Sequence, residues 1–385
     1  MSKHDFTAAE FAERRRRLRA ALAKADLDWL VVVHPVAIRW LTGSDAKSYQ
    51  EFQCLFFSAE EAPLTVLTRA GEVAEFQDDA LVDEVVGWGG GIAEDPIPHF
   101  TAVAKRLGLM GARVGLDVPA FYLHPHHYLA LREVLGTSLV AEPSTLVHDL
   151  TLVKSPAELA FIRRAAALAD DGMAVFARAL RPGRSELALA GEVMANLMTA
   201  GSGIAASPVN LVSGERSGFS HGAPTQRILR AGDCGSIEYG ATWHRYTATI
   251  GRQFCLGPPT PRMLELHDIV RRAQDACIAA IRPGVSASVP HEAARAVIAE
   301  AGLEPYRVHT TGYGLAPGFP PSWGEPIHML NDSPYTLEAG MVLTVEPPVF
   351  IPAERLGARL IDNVLVTADG AERLTGASRE LIVVE

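Results

Sequence analysis

Residues 151–180, TLVKSPAELAFIRRAAALADDGMAVFARAL, constrain the fold more than any other stretch of the chain. Ser155-Pro156-Ala157-Glu158 has the form of a capping box with proline at the first helical position, so a long amphipathic helix begins here. A second helical pattern occupies 184–200, a third roughly 261–281 and a short fourth 289–301. An Arg-Pro-Gly turn sits at 181–183 and again at 282–284, next to the second and third helices, which hints at internal duplication. Between the helices lie apolar runs at 234–240, 245–255, 341–346 and 358–367, separated by hairpin-length turns. This half, 151–385, therefore reads as α+β, an antiparallel sheet covered by helices.

Residues 1–150 follow a different rule. A helix over 10–25 precedes a strand at 28–35, and further strands are expected at 54–58, 63–68 and 112–118. Helices at 99–108 and 124–135 alternate with them, the mark of a smaller α/β layer. A chain of 385 residues is long enough for two such domains.

The formal net charge of −10 argues against nucleic acid or an anionic membrane as partner and favours a small molecule. The basic run Arg14 to Arg17 reads as the solvated face of the first helix. No window reaches the roughly 18 unbroken apolar residues of a membrane span, and no signal-peptide core is seen, so a cytoplasmic location is expected. The four cysteines, 54, 234, 255 and 277, form no CxxC pair and give no sign of a disulfide framework.

Several blocks in order resemble the creatinase, prolidase and aminopeptidase P family. They are VHPVAIRWLTG (33–43), VKSPAELAFIRRA, HGAPTQRILRAGDCGSIEYGATWHRYTATIGRQF (221–254), TGYGLAPGF (311–319), LEAGMVLTVEPPVF (337–350) and GARLIDNVLVTADG (357–370). The resemblance implies a pita-bread catalytic domain, preceded by a creatinase-type N-terminal domain. It also implies a homodimer in which the N-terminal domain of one subunit closes the active site of the other. In the family's metallopeptidases two divalent ions are held by two Asp, one His and two Glu. Carried over, those positions fall at Glu238, Thr249, Tyr313, Glu346 and Ile361, with Asp362 beside the last. A hydroxyl, a phenol and an isoleucine do not replace carboxylate and imidazole ligands. Asp362 should face away if Ile361 points inward. The expectation is no cofactor and no metal.

Metal-free relatives, creatinase and ectoine hydrolase, match in detail. His221, in SGFSHGAP, inherits the part of proton-transfer base and acid, and Glu238 and Glu346 form the pair of carboxylates. Two carboxylates can hold a cationic substrate, and an imidazole can take a proton from water and return it. Candidate substrate contacts are Tyr313 and His309 in the Gly-rich segment, Arg245 and Tyr246 in the hairpin, and Trp323 and Glu325 in a Pro-rich loop spanning 316–326. Tyr49 and Glu51 are candidates from the N-terminal domain. Glu51 falls where creatinase has the arginine that grips the creatine carboxylate, which counts against creatine itself. The expected activity is metal-independent hydrolysis of a C–N bond in a small cationic or zwitterionic compound, ectoine first. A proline dipeptidase or aminopeptidase stands second, and an inactive pita-bread binding module third.

Overall fold

The computed structural model describes residues 2–45, 48–91 and 94–385. The chain divides into two compact units, Met1–Thr151 and Leu152–Glu385.

In the first unit six strands form one mixed sheet in the order β4-β3-β2-β1-β5-β6. They are β1 (Trp29–Val32), β2 (Cys54–Ser58), β3 (Thr65–Arg69), β4 (Glu84–Trp88), β5 (Val114–Leu116) and β6 (Leu139–Ala141). The helices are α1 (Ala8–Lys24), α2 (Pro35–Thr42), α3 (Val73–Asp79), α4 (Pro96–Arg106), α5 (Pro125–Leu135) and α6 (Leu146–Thr151). Both faces of this sheet are buried, which is why CLFFS is apolar without alternation. Leu55 and Phe57 enter one core with Leu18, Leu22 and Trp40, while Cys54 and Phe56 enter the other with Phe100, Val103 and Leu131. The strand expected over 28–35 ends earlier. His34 caps α2 by accepting the Val36 N–H at Nδ1, and Gly43, at φ 84°, closes the helix in the left-handed region.

The second unit carries a nine-stranded sheet. Its path runs β16-β15-β12-β10-β9-β8-β7, with β11 on β10 and β17 on β9. The ranges are β7 (Asn210–Ser213), β8 (Cys234–Trp243), β9 (Tyr246–Leu256), β10 (Tyr313–Phe319), β11 (Ser322–His328), β12 (Val342–Val345), β15 (Asp362–Val366), β16 (Ala371–Arg373) and β17 (Ile382–Val384). The pair β13 (Val349–Ile351) and β14 (Leu356–Ala358) forms a ribbon apart.

Two helix pairs cover the sheet. The first, α7 (Pro156–Ala179) and α8 (Glu186–Thr199), buries Leu168, Phe176, Leu189 and Val193 against Ile237, Tyr239 and Phe254. The second, α9 (Pro261–Ala280) and α10 (Ser288–Glu300), buries Leu266, Val270 and Ile298 against Leu343, Val345 and Val364. The capping box forms as expected: the Ser155 side chain accepts the Glu158 N–H, and the Glu158 carboxylate accepts the Ser155 N–H. This is the pita-bread arrangement that the resemblance implies, mixed α+β.

Two expectations need correction. The Pro-rich segment 316–326 is a hairpin rather than a loop, because β10 and β11 pair as far as Phe319 and Ser322 and turn only at Pro320-Pro321. Cys234 and Cys255, register partners on β8 and β9, are joined in a disulfide that sequence spacing did not announce.

Candidate active site

Period-two alternation along β8 sets one wall of the site. Glu238 and Gly240 lie on the same face. The indole of Trp323 covers Gly240 so closely that a Cβ there would fall 2.9 Å from the ring. The Trp323 Nε1–H donates to the Tyr313 hydroxyl at 3.0 Å, which fixes both rings. Glu238 is 8% exposed and Glu346 1% exposed, so neither carboxylate sits in open water.

The two acids are treated differently by their surroundings. Glu238 Oε2 accepts from Asn210 Nδ2 at 3.2 Å and from Arg359 Nη2 in a close ion pair. Glu346 follows β12, and its backbone N–H donates to Thr311 O at 2.8 Å. Its Oε1 is buried and has no hydrogen-bond partner among the described residues, with His309 Nδ1 3.7 Å away. Burial pushes the Glu346 carboxyl up to about 8, against which the Thr344 hydroxyl acts in the opposite direction.

Two histidines extend from Glu346, with His309 beside it and His221 next. The His221 and His309 rings lie 5.0 Å apart. His221 Nδ1 is 3.4 Å from Ser220 Oγ, and Ser220 O accepts from Arg359 Nη2 at 3.2 Å. Desolvation, then the Arg359 charge, then His309, hold the His221 imidazole well below its ordinary basicity. Burial does the same for His309. The connected set therefore runs Glu238, Arg359, His221, His309, Glu346.

Of the expected contacts, His309 belongs to this set, and Tyr313 and Trp323 lie beside it, the indole against Gly240 and bonded to the phenol. Burial, with the Glu346 charge adding to it, raises the Tyr313 phenol far above its ordinary pKa, so it stays neutral. Three others are engaged elsewhere. The Tyr246 hydroxyl donates to Glu158 at 2.8 Å. Glu325 forms a buried pair with Lys154 at 2.7 Å. The Arg245 guanidinium lies 4.4 Å over the Phe319 ring, at a hairpin where His244 and Arg245 both have positive φ. Tyr49 and Glu51 lie in the first unit, where the Tyr49 ring stands edge-on to Tyr122 at 6.0 Å. Arg359 was missed from the sequence. The signal was its place two residues before Ile361, which alternation puts on the same side.

The family's pair of divalent ions does not fit this donor set. Glu238 already faces a guanidinium. Thr249 Oγ1 accepts from Asn363 Nδ2 at 2.9 Å. The Ile361 side chain packs onto Gly251, where a Cβ would meet it at 2.7 Å. Asp362 turns away into a fully buried pair with Arg252 at 2.8 Å. Among the described residues no three His, Cys, Asp or Glu side chains are grouped to hold an ion. No helix among those residues is long and apolar enough to cross a membrane.

The chain belongs to metallopeptidase family M24, which matches residues 160–368, and residues 14–150 match the creatinase/prolidase N-terminal domain. It is 32% identical over 392 residues to the probable dipeptidase PepE of Mycobacterium tuberculosis, covering 100% of this chain and 99% of that one. The crystal structure of dipeptidase PepE from Mycobacterium ulcerans superposes with a TM-score of 0.86 at 30% identity, covering 98% and 99% of the two chains. An Xaa-Pro dipeptidase from Bacillus anthracis superposes with a TM-score of 0.85 at 26% identity, covering 97% and 100%. These full-length likenesses overturn the expectation of an ectoine- or creatine-type hydrolase. The metal-free details that suggested it are a few side chains, whereas the similarity to dipeptidases runs through both domains.

Proposed function

We propose that this protein is a hydrolase of short peptides, cleaving the amide bond of dipeptides. The observation that carries the reading is the end-to-end likeness to a named dipeptidase at 32% identity. The chemistry of the site supports it. A water between His221 and the scissile carbonyl carbon would give its proton to the neutral imidazole as its oxygen bonds to that carbon. Collapse of the tetrahedral intermediate breaks the C–N bond, and the proton held on His221 passes to the departing amine. His221 is suited to this because its lowered basicity leaves it unprotonated at neutral pH. His309, 5.0 Å away, borders the same space.

Glu346 answers the other end of a dipeptide. Its Oε1 is buried without a hydrogen-bond partner among the described residues, and an α-ammonium group is the natural ligand for such an acid. The arriving cation favours the ionised carboxylate and repays part of its desolvation. Peptides with a free amino terminus are therefore expected to be substrates and N-acetylated ones poor, by about tenfold or more in kcat/KM, the size of one charge-assisted contact. The test is amino-acid release from a panel of Xaa-Pro and other dipeptides, their N-acetyl forms, ectoine and creatine. Release from free dipeptides supports the reading. Turnover of ectoine or creatine without dipeptide cleavage sinks it.

A further inference from the structure

We propose that the Arg359 guanidinium is the resident cation of this site and stabilises the oxyanion formed during cleavage. This rests on the peptidase reading above. In this family cations sit against the acid matched by Glu238; here that acid holds a guanidinium instead. Arg359 is 5% exposed and its backbone is clamped: its N–H donates to Gln253 Oε1 at 3.3 Å, and Gln253 Nε2 donates to Gly357 O at 2.6 Å. The Phe350 ring lies 5.7 Å from Cζ. Nη2 is spent on Glu238 and Ser220 O. Nη1 is buried and has no acceptor among the described residues.

A buried guanidinium nitrogen left without an acceptor is costly, and this guanidinium already bonds the carbonyl of Ser220, the chain neighbour of the proposed base His221, so its free N–H can serve an oxygen on which negative charge develops. Water attack moves the carbonyl π electrons onto oxygen. Nη1–H receives that oxygen, and the charge returns to the carbonyl as the C–N bond breaks. Glu238 then acts as a positioning residue that holds the guanidinium plane.

The experiment uses the full chain, stripped of divalent ions, and its Arg359→Met and Arg359→Lys variants, with thermal melts to confirm folding. The expected result is dipeptide turnover by the stripped wild type within twofold of the untreated protein. Arg359→Met should lower kcat about 100-fold or more with KM changed little, the cost of one lost oxyanion donor. Arg359→Lys should recover part of the loss. Independently of turnover, calorimetry with a dipeptide analogue carrying a phosphinate at the scissile position should show binding to wild type weakened at least tenfold in Arg359→Met. Should Arg359→Met fail to fold, Arg359→Lys carries both arms. The proposal is overturned if stripped wild type regains activity only on adding Mn, Co or Zn, if the variant keeps its kcat, if only KM moves, or if the phosphinate binds wild type no better than variant. A wild type that cleaves no dipeptide refutes the peptidase reading instead, and the phosphinate arm still decides Arg359.

Discussion

The second unit repeats one backbone motif, and the two copies surround their acids differently. After α7 the chain turns at Arg181-Pro182-Gly183, with Gly183 at φ 85°. After α9 it turns at Arg282-Pro283-Gly284, with Gly284 at φ 84°. The Gly183 N–H donates to Leu229 O, and the Gly284 N–H donates to Leu337 O, both at 2.9 Å. Leu229 is followed by the left-handed Gly232 and then Glu238. Leu337 is followed by the left-handed Gly340 and then Glu346, at the same spacing. Glu238 and Glu346 are thus equivalent positions of a repeated unit. The repeated motif supplies two carboxylates, and different side chains distinguish them: Arg359 and Asn210 surround the first, while the second keeps a bare oxygen near His309. One acid holds a cation of the protein's own; the other keeps an oxygen with no hydrogen-bond partner among the described residues.

The sharpest way to break this asymmetry is at the histidines, one from each half. His221→Ala removes the proposed base and should lower kcat by about 10²–10⁴-fold. His309→Ala should cost roughly tenfold, chiefly in KM, because its ring stands beside Glu346, the proposed ammonium site. Steady-state kinetics on one dipeptide decide it. The reverse ranking would move the base to the second half.

The acids should differ next, this time in stability. Glu238→Gln keeps the shape but leaves Arg359 buried beside a neutral amide, a loss of about 3–5 kcal/mol in urea unfolding. Glu346→Gln should not destabilise. Equal losses would mean that Glu346 also has a buried cationic partner.

That contrast carries a pH signature whose sign can be worked out. The Glu346 carboxyl is raised from an ordinary value of 4.5 to about 8, so between those values the folded protein binds more protons than the unfolded chain. Its favourable contribution is whole below 4.5 and disappears as pH climbs through about 8, a drop of a few kcal/mol at most. Activity should move the other way, since only the ionised acid receives an ammonium group: kcat/KM should rise toward pH 8. Glu346→Gln should flatten both trends, with wild type minus variant stability as the readout. A difference independent of pH would show that Glu346 is ionised throughout.

How far the sequence carries this asymmetry depends on the range of the interaction involved. The helix pairs and Arg-Pro-Gly turns were legible because caps and periodicity are local. Glu238 and Glu346 stood out as acids inside apolar strands, where burial demands a reason. The hairpin at Pro320-Pro321 was hidden because prolines and glycines dominate the segment, although its two strands pair with each other and β10 is further held by β9 and β12 from elsewhere in the chain. Tyr246 and Glu325 looked available, yet Glu158 and Lys154, distant in sequence, claim them. The Arg359–Glu238 pair spans 121 residues, and no window of the chain contains both partners. Reading the substrate from a few lost metal ligands failed for a related reason. Ligand positions report what a site can hold, while the similarity running through both domains tracks what the site is built around.

The smallest test returns to the repeat itself. Gly183 and Gly284 share a left-handed backbone, and a Cβ added at either would meet no atom within 4 Å. Steric clash is therefore removed from the comparison, leaving only the cost of an L side chain at positive φ. Gly183→Ala and Gly284→Ala should each lose about 1–2 kcal/mol, equal within about 0.5 kcal/mol, and the double variant should lose the sum. Urea unfolding of the three variants measures it. A large inequality would mean that the two turns, alike in dihedral angle and hydrogen bonding, carry different loads, and that the halves diverged in backbone as well as in charge.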